Sequence, residues 1–251
     1  MEIIATDKMS DVFNQIQKIT DKDTLVVFDV DRVLITKDEA SLRDEINFAK
    51  SFLWKYPLKI FWSAKLFERL IVETKSKLVD TNTLEIIKYL NENNIKTIAI
   101  THAPHSDLKY NDDYKTFAEW RYNDLKNLGI EFNSNEDLTL KNGARFFNGI
   151  LFAHNNSWGF GLFKGDLIGR LFGKLNKGDC LKEFLKTQDL NPSKIIFVDD
   201  LLQNILAVEQ YCESKGIDLH AFHYTGDYQE IISAEQMYER LTFYGENEVW
   251  V

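Results

Sequence analysis

Two hydrophobic periods alternate along this chain. Short, almost wholly apolar runs occur at Leu25-Val26-Val27-Phe28, over 95–100, over 193–198 and over 219–224. The first three read as strands covered on both sides, and 219–224 reads as a last strand. Between them apolar residues recur every three or four positions. Met9, Val12, Phe13, Ile16 and Ile19 predict a helix over 8–20. Leu84, Ile87 and Leu90 predict a second, opened by Asp80-Thr81-Asn82-Thr83 and closed at Asn93-Asn94. Residues 114–128 predict a third, with Gly129 as its stop, and Lys177-Gly178-Asp179 opens a fourth that ends before Asn191-Pro192. Ile205, Val208 and Tyr211 mark a fifth, stopped at Lys215-Gly216, and 229–241 reads as a C-terminal helix. Asn148-Gly149 between Phe146-Phe147 and Ile150-Leu151-Phe152 is a hairpin signal. Alternating strands and helices of this kind predict an α/β fold with a mainly parallel, doubly wound sheet.

Two segments break the alternation. From about 38 to 80 no strand-like pattern is visible. Phe48, Phe52, Trp54, Tyr56, Phe61, Trp62, Phe67 and Leu70 give an aromatic, helix-length region interrupted by Pro57. Two or three helices are expected there, so the chain reads as one core (1–36 and 83–251) with a small helical insertion (37–82). The second segment is 155–173. Gly159, Gly161, Gly165, Gly169 and Gly173 do not fit a dinucleotide fingerprint and read as loop and turn glycines.

The strand ends carry the candidate chemistry. The first buried strand runs into Asp29-Val30-Asp31, the second stops at Thr101-His102, and the third ends on Asp199-Asp200. In an open α/β sheet the carboxyl ends of strands line the ligand crevice. Carboxylates gathered there repel one another, and without a cation at least one takes up a proton. A hard divalent ion removes the conflict. Oxygen donors favour Mg2+, with Asp29 and Asp199 as the expected ligands. Such a site suits phosphoryl transfer, where positioning and charge neutralisation dominate. One Asp can attack phosphorus to form an aspartyl-phosphate, and a second can donate a proton and later activate water. Lys177 would bring positive charge to the transferring group and Thr101 a hydroxyl hydrogen bond. Lys164-Gly165-Asp166 repeats the Lys177-Gly178-Asp179 pattern and is a rival for the lysine role. Lys177 is preferred, because Lys164 needs a longer return to the Asp199 strand. Arg32 and His102 are candidate substrate contacts beside the acids. Asn204, five residues after Asp199, reads as a structural tie for that loop.

Composition narrows the partners. The 251-residue chain is 44% hydrophobic and 27% charged with a formal net charge of −9, so it can bury a sizeable core yet has no basic excess to follow a nucleic-acid backbone. A small anionic substrate needs only a local cation. Cys180 and Cys212 lack metal-type spacing and fit a reducing, cytoplasmic setting. The first residues show no basic-then-apolar leader, and no apolar stretch has the length of a membrane span.

The ordered set Asp29-Val30-Asp31-Arg32-Val33, Thr101, Lys177 and Asp199-Asp200 resembles the four motifs of the haloacid dehalogenase superfamily. The resemblance covers about 20–36, 84–104 and 176–226. It implies a Rossmann-like core and, for phosphatase members, Mg2+. It implies Asp29 as nucleophile and Asp31 as general acid/base, with the Asp31 backbone carbonyl also touching the metal. Thr101 and Lys177 would hold the phosphoryl group, Asp199 would bind the metal, and Asp200 would support it. Val33 stands where Thr is frequent, and Arg32 is less usual at the turn. The insertion resembles a helical cap. The function so implied is a Mg2+-dependent phosphohydrolase for a small phosphorylated metabolite, acting through a phosphoaspartate. Two rivals remain: a catalytically weak member that binds a phosphorylated ligand or a protein, and a phosphotransferase. Oligomeric state is not legible.

Overall fold

The computed structural model describes residues 3–38, 68–69, 71–109, 111–156 and 173–227, together with 236, 239 and 243. Strand β1 (Ile3–Thr6) leads into helix α1 (Met9–Ile19), then β2 (Thr24–Asp29), β3 (Ile35–Lys37) and β4 (Ser76–Leu78). Helix α2 (Asn82–Glu92), β5 (Lys96–Thr101) and α3 (Phe117–Asn127) follow. Three short strands come next: β6 (Asp137–Thr139), β7 (Arg145–Phe147) and β8 (Ile150–Phe152). Helix α4 (Lys177–Thr187), β9 (Lys194–Asp199), α5 (Leu202–Lys215) and β10 (Asp218–Tyr224) complete the order.

The main sheet has eight strands in the order β1-β10-β9-β2-β5-β8-β7-β6. The six from β1 to β8 run parallel, and β7 and β6 add an antiparallel edge. The doubly wound, Rossmann-like α/β expectation is met. All six residues of β2 are buried. Val26 and Phe28 point into one core with Met9, Val12 and Ile16 of α1, Ile86, Ile87 and Leu90 of α2, and Leu125 of α3. Leu25 and Val27 point into the other with Cys180, Leu181 and Phe184 of α4 and Ile205 and Val208 of α5. Helices therefore cover both faces, which explains why the strand is apolar without alternation.

Local signals set the element ends. Asn176 caps α4 by accepting from the Asp179 amide at 3.0 Å. Thr116 caps α3 by accepting from Glu119 at 3.1 Å, so α3 starts at Phe117 rather than at 114. Asn148 and Gly149, at φ 47° and 86°, make the tight β7–β8 hairpin. At Gly178 a Cβ would collide with the Ala207 backbone carbonyl, so glycine lets α4 lie close on α5.

Three strands depart from expectation. β1 was not legible: only four residues long, it gains its place by parallel pairing with β10. β6 is a three-residue edge strand. β4 lies where no strand was expected, and it pairs antiparallel with β3 through Ile35–Leu78, Thr36–Lys77 and Lys37–Ser76. This two-stranded ribbon brings the two ends of segment 38–75 together. The aromatic positions from Phe48 to Phe67, Leu70, Lys164 and the glycines from 159 to 169 lie outside the described residues, as does most of the C-terminal helix expected over 229–241. Cys180 and Cys212 are buried thiols in α4 and α5.

Candidate active site

Strand β2 lies between β5 and β9, all parallel, so the three C-terminal ends meet at one sheet edge. That places Asp29, Thr101 and Asp199 side by side. After Asp29 the chain turns at once: Leu34 and Ile35 donate backbone hydrogen bonds to the Val30 carbonyl at 3.0 and 3.1 Å. Arg32 in this turn has φ 70°, a left-handed conformation that costs a non-glycine residue roughly 1 kcal/mol or more.

Lys177, the first residue of α4, projects into the crevice and is 1% exposed. Its ammonium lies 2.8 Å from Asp29 Oδ1 and 2.7 Å from Asp199 Oδ2. Asp29 Oδ1 also accepts from the Val30 amide at 2.7 Å, so this oxygen is saturated and Oδ2 is the one left for chemistry. Asp199 Oδ1 accepts from the Leu201 amide and from Asn204 Nδ2, both at 2.9 Å. Asn204 thus orients Asp199 itself as well as its loop. Burial pushes the Asp29 carboxyl well above the usual carboxylate range, and the charges of Asp199 and Asp200 add to this against the opposing Lys177 ammonium. Burial works against charge on Lys177, but Asp199 and Asp29 outweigh it and hold its pKa above that of an ordinary lysine.

Asp200 stands beside this group. Carboxylate oxygens of Asp29, Asp199 and Asp200 all lie within 4.8 Å of one another. Burial raises the Asp200 carboxyl, with Arg32 opposing. The Arg32 guanidinium is 2.8 Å from Asp200 Oδ2, a close ion pair that lacks the alignment of a hydrogen bond. Three carboxylates this close, one with a buried oxygen that lacks an aligned hydrogen bond, could hold a hard divalent cation, and oxygen donors suit Mg2+. The Asp31 carboxylate is not in this cluster.

Asp31 faces the other way. Its Oδ1 receives Arg121 Nη2 at 2.9 Å, and its Oδ2 receives the Thr101 hydroxyl at 3.2 Å. The Thr101 oxygen in turn accepts from the Ala103 amide at 3.0 Å. Arg121, buried in α3, is the site residue that the sequence pattern did not reveal. Its one signal is that it is the lone arginine of α3, set between Trp120 and Tyr122. His102 does not face the acids: its Nε2 lies 3.0 Å from the Leu175 carbonyl. Burial, reinforced by the charges of Lys177 and Lys174, pushes its pKa down to about 3. The ring is therefore neutral near pH 7 and donates from Nε2, so His102 brings no positive charge to an anionic substrate.

Comparison with known proteins fixes the family and corrects one expectation. Residues 5–245 match the family model described as "Protein of unknown function (DUF2608)", and the chain belongs to that family. That match takes the place of the haloacid dehalogenase assignment expected from the strand-end motifs, which is set aside. A curated relative, described as "Uncharacterized protein RP296" from Rickettsia prowazekii (strain Madrid E), is 23% identical over 220 residues. The alignment covers 82% of this chain and 71% of the relative. No solved structure matches. Among the described residues, no helix is long and apolar enough to cross a membrane.

Proposed function

We propose that this protein is a Mg2+-dependent phosphohydrolase that acts on a small phosphorylated metabolite through a phosphoaspartate. The reading rests on side-chain geometry alone. The observation that carries it is the state of Asp29: one carboxylate oxygen is saturated by Lys177 and the Val30 amide, while the other adjoins the acids of a cation site.

Asp29 Oδ2 attacks phosphorus and forms a new O–P bond as the ester O–P bond breaks. Asp31, open to solvent, takes up a proton and passes it to the leaving oxygen. Asp31, again a carboxylate, then removes a proton from water, whose oxygen attacks phosphorus. The Asp29–phosphorus bond breaks, inorganic phosphate leaves, Asp31 returns its proton to solvent, and both acids regain their starting states. Lys177 holds Asp29 in line and offsets negative charge at the crevice. Mg2+ held by Asp29, Asp199 and Asp200 would neutralise charge on the phosphoryl oxygens. Arg32, half-buried and paired with Asp200, would meet the anionic substrate at the rim.

The test is release of phosphate from an aryl phosphate between pH 5 and 8, with and without Mg2+. Wild type should show metal-dependent turnover, and Asp29→Asn should lose at least about 10³-fold. Asp29→Asn retaining turnover within tenfold of wild type would sink the covalent route. Adding an alcohol acceptor and analysing the product separates hydrolysis from transfer.

A further inference from the structure

We propose that Arg121 is a positioning residue for the same chemistry, acting through Asp31. This rests on the phosphohydrolase reading for the reaction, while the clamp itself rests on distances. Arg121 is 3% exposed, yet its guanidinium spans two carboxylates: Asp31 Oδ1 at 2.9 Å and Asp124 Oδ2 at 3.3 Å. The side chain of Asp31 is half exposed, at 48%. A half-exposed carboxylate on a tight turn has rotamer freedom, whereas this one is gripped from opposite oxygens by Arg121 and Thr101. A planar fork suits that task in a way a point charge does not.

The clamp is built, rather than incidental. Asp124, one helical turn on, fixes the far side of the guanidinium and accepts from Ser76 Oγ at 2.8 Å. Arg121 also lies over the Trp120 ring at 4.8 Å, and Lys37 Nζ lies over the same ring at 4.7 Å. Lys37 in turn donates to the carbonyls of Ile71 and Thr74 at 2.7 and 2.9 Å. Arg121 is therefore linked indirectly to both strands of the β3–β4 ribbon, through Asp124 to Ser76 of β4 and through the Trp120 ring to Lys37 of β3. No reacting group needs to touch it. Its effect reaches the substrate only through where the Asp31 oxygens sit.

The test compares wild type, Arg121→Met, Arg121→Lys, Asp31→Asn and the Arg121→Met/Asp31→Asn double variant on an aryl phosphate with saturating Mg2+, with melting temperatures for all five. Arg121→Met should lower kcat by about 10²-fold while KM moves by less than about threefold. Arg121→Lys, which reaches one carboxylate and not both, should recover part of that loss. The double variant should be no slower than Asp31→Asn alone, because both changes remove one function. Losses that multiply, or an effect confined to KM, would overturn the assignment. If Arg121→Met fails to fold, the Arg121→Lys kcat decides: a value equal to wild type overturns the proposal. Absence of turnover in folded wild type would overturn the reaction, and the positioning role of Arg121 in it. Non-additive melting temperatures in that case would still keep the clamp as architecture, which separates the two failures.

Discussion

Two cations flank the tip of β2, and each bridges a pair of carboxylates, but they do so in opposite surroundings. Lys177 joins Asp29 and Asp199 in a sealed pocket where all three side chains are under 10% exposed. Arg121 joins Asp31 and Asp124 with its own head buried but Asp31 open to solvent. The difference suits the two roles in the proposed reaction. There, an attacking carboxylate would gain from exclusion of water and from a compact ammonium close by, and a carboxylate exchanging protons with water would need to reach solvent while being gripped from behind.

Removing the buried cation is the strongest way to break this symmetry. Lys177→Met leaves Asp29 and Asp199 facing each other without a counter-charge, a loss of about 3–5 kcal/mol. In a chain of this size that lowers the melting temperature by roughly 6–20 °C at pH 7. Since Asp29 already resists ionisation, mild acid should return part of the loss. Arg121→Met should cost less, about 1–2 kcal/mol, because Asp31 can turn to water. Equal melting-temperature losses for the two would show that the pockets do not differ in dielectric.

His102 sharpens the same contrast from the Lys177 side. Burial, with Lys177 and Lys174 adding to it, holds its folded pKa at about 3 against 6.5 when unfolded. The unfolded chain therefore binds the proton more readily. The contribution of His102 to stability is present above pH 6.5 and is lost as pH falls from 6.5 toward about 3, by an amount on the order of a few kcal/mol. His102→Gln, whose amide can still donate to Leu175, should flatten the decline in melting temperature between pH 6.5 and 4. An unchanged slope would mean that His102 takes up its proton as readily in the folded protein as in the unfolded chain.

The sealed pocket was legible in the sequence, whereas of the open one Asp31 and Thr101 were legible and Arg121 was not, for a physical reason. Asp29, Thr101 and Asp199 end apolar runs, and Lys177 opens a capped helix. In a parallel sheet, period and punctuation alone bring such ends together. Arg121 meets Asp31 across 90 residues of chain, and only the crossing of α3 over the strand tip makes the pair. The same limit hid the β3–β4 ribbon: Ser76-Lys77-Leu78 is three residues long and takes its strand form from Ile35–Lys37. β1 is four residues long, half-buried at the sheet edge, and so lacks the apolar density of β2. His102 shows a further limit. Adjacency to Thr101 in sequence says nothing of direction: His102 lies just past the end of β5, and its ring turns to the Leu175 carbonyl.

Asp29 supplies the smallest expected effect, and its sign is the informative part. Burial and two neighbouring acids raise its carboxyl above the value it has in the unfolded chain. For an acid shifted in this direction, the folded state holds the proton longer, so stability falls as pH rises from about 4 through the folded pKa. Asn at this position keeps the shape and carries no charge to bury. Lys177 retains Asp199 at 2.7 Å, so no cation is stranded. Asp29→Asn should therefore raise stability at pH 7 without metal by about 0.5–2 kcal/mol, while abolishing turnover. Saturating Mg2+ should narrow the gap, because the cation relieves in wild type what the amide relieves in the variant. Thermal melts of both proteins with EDTA and with Mg2+ check this. A variant less stable than wild type in EDTA would mean that the Lys177–Asp29 pair outweighs the repulsion. Asp29 would then be a structural partner of Lys177, with no stability sacrificed to keep a nucleophile.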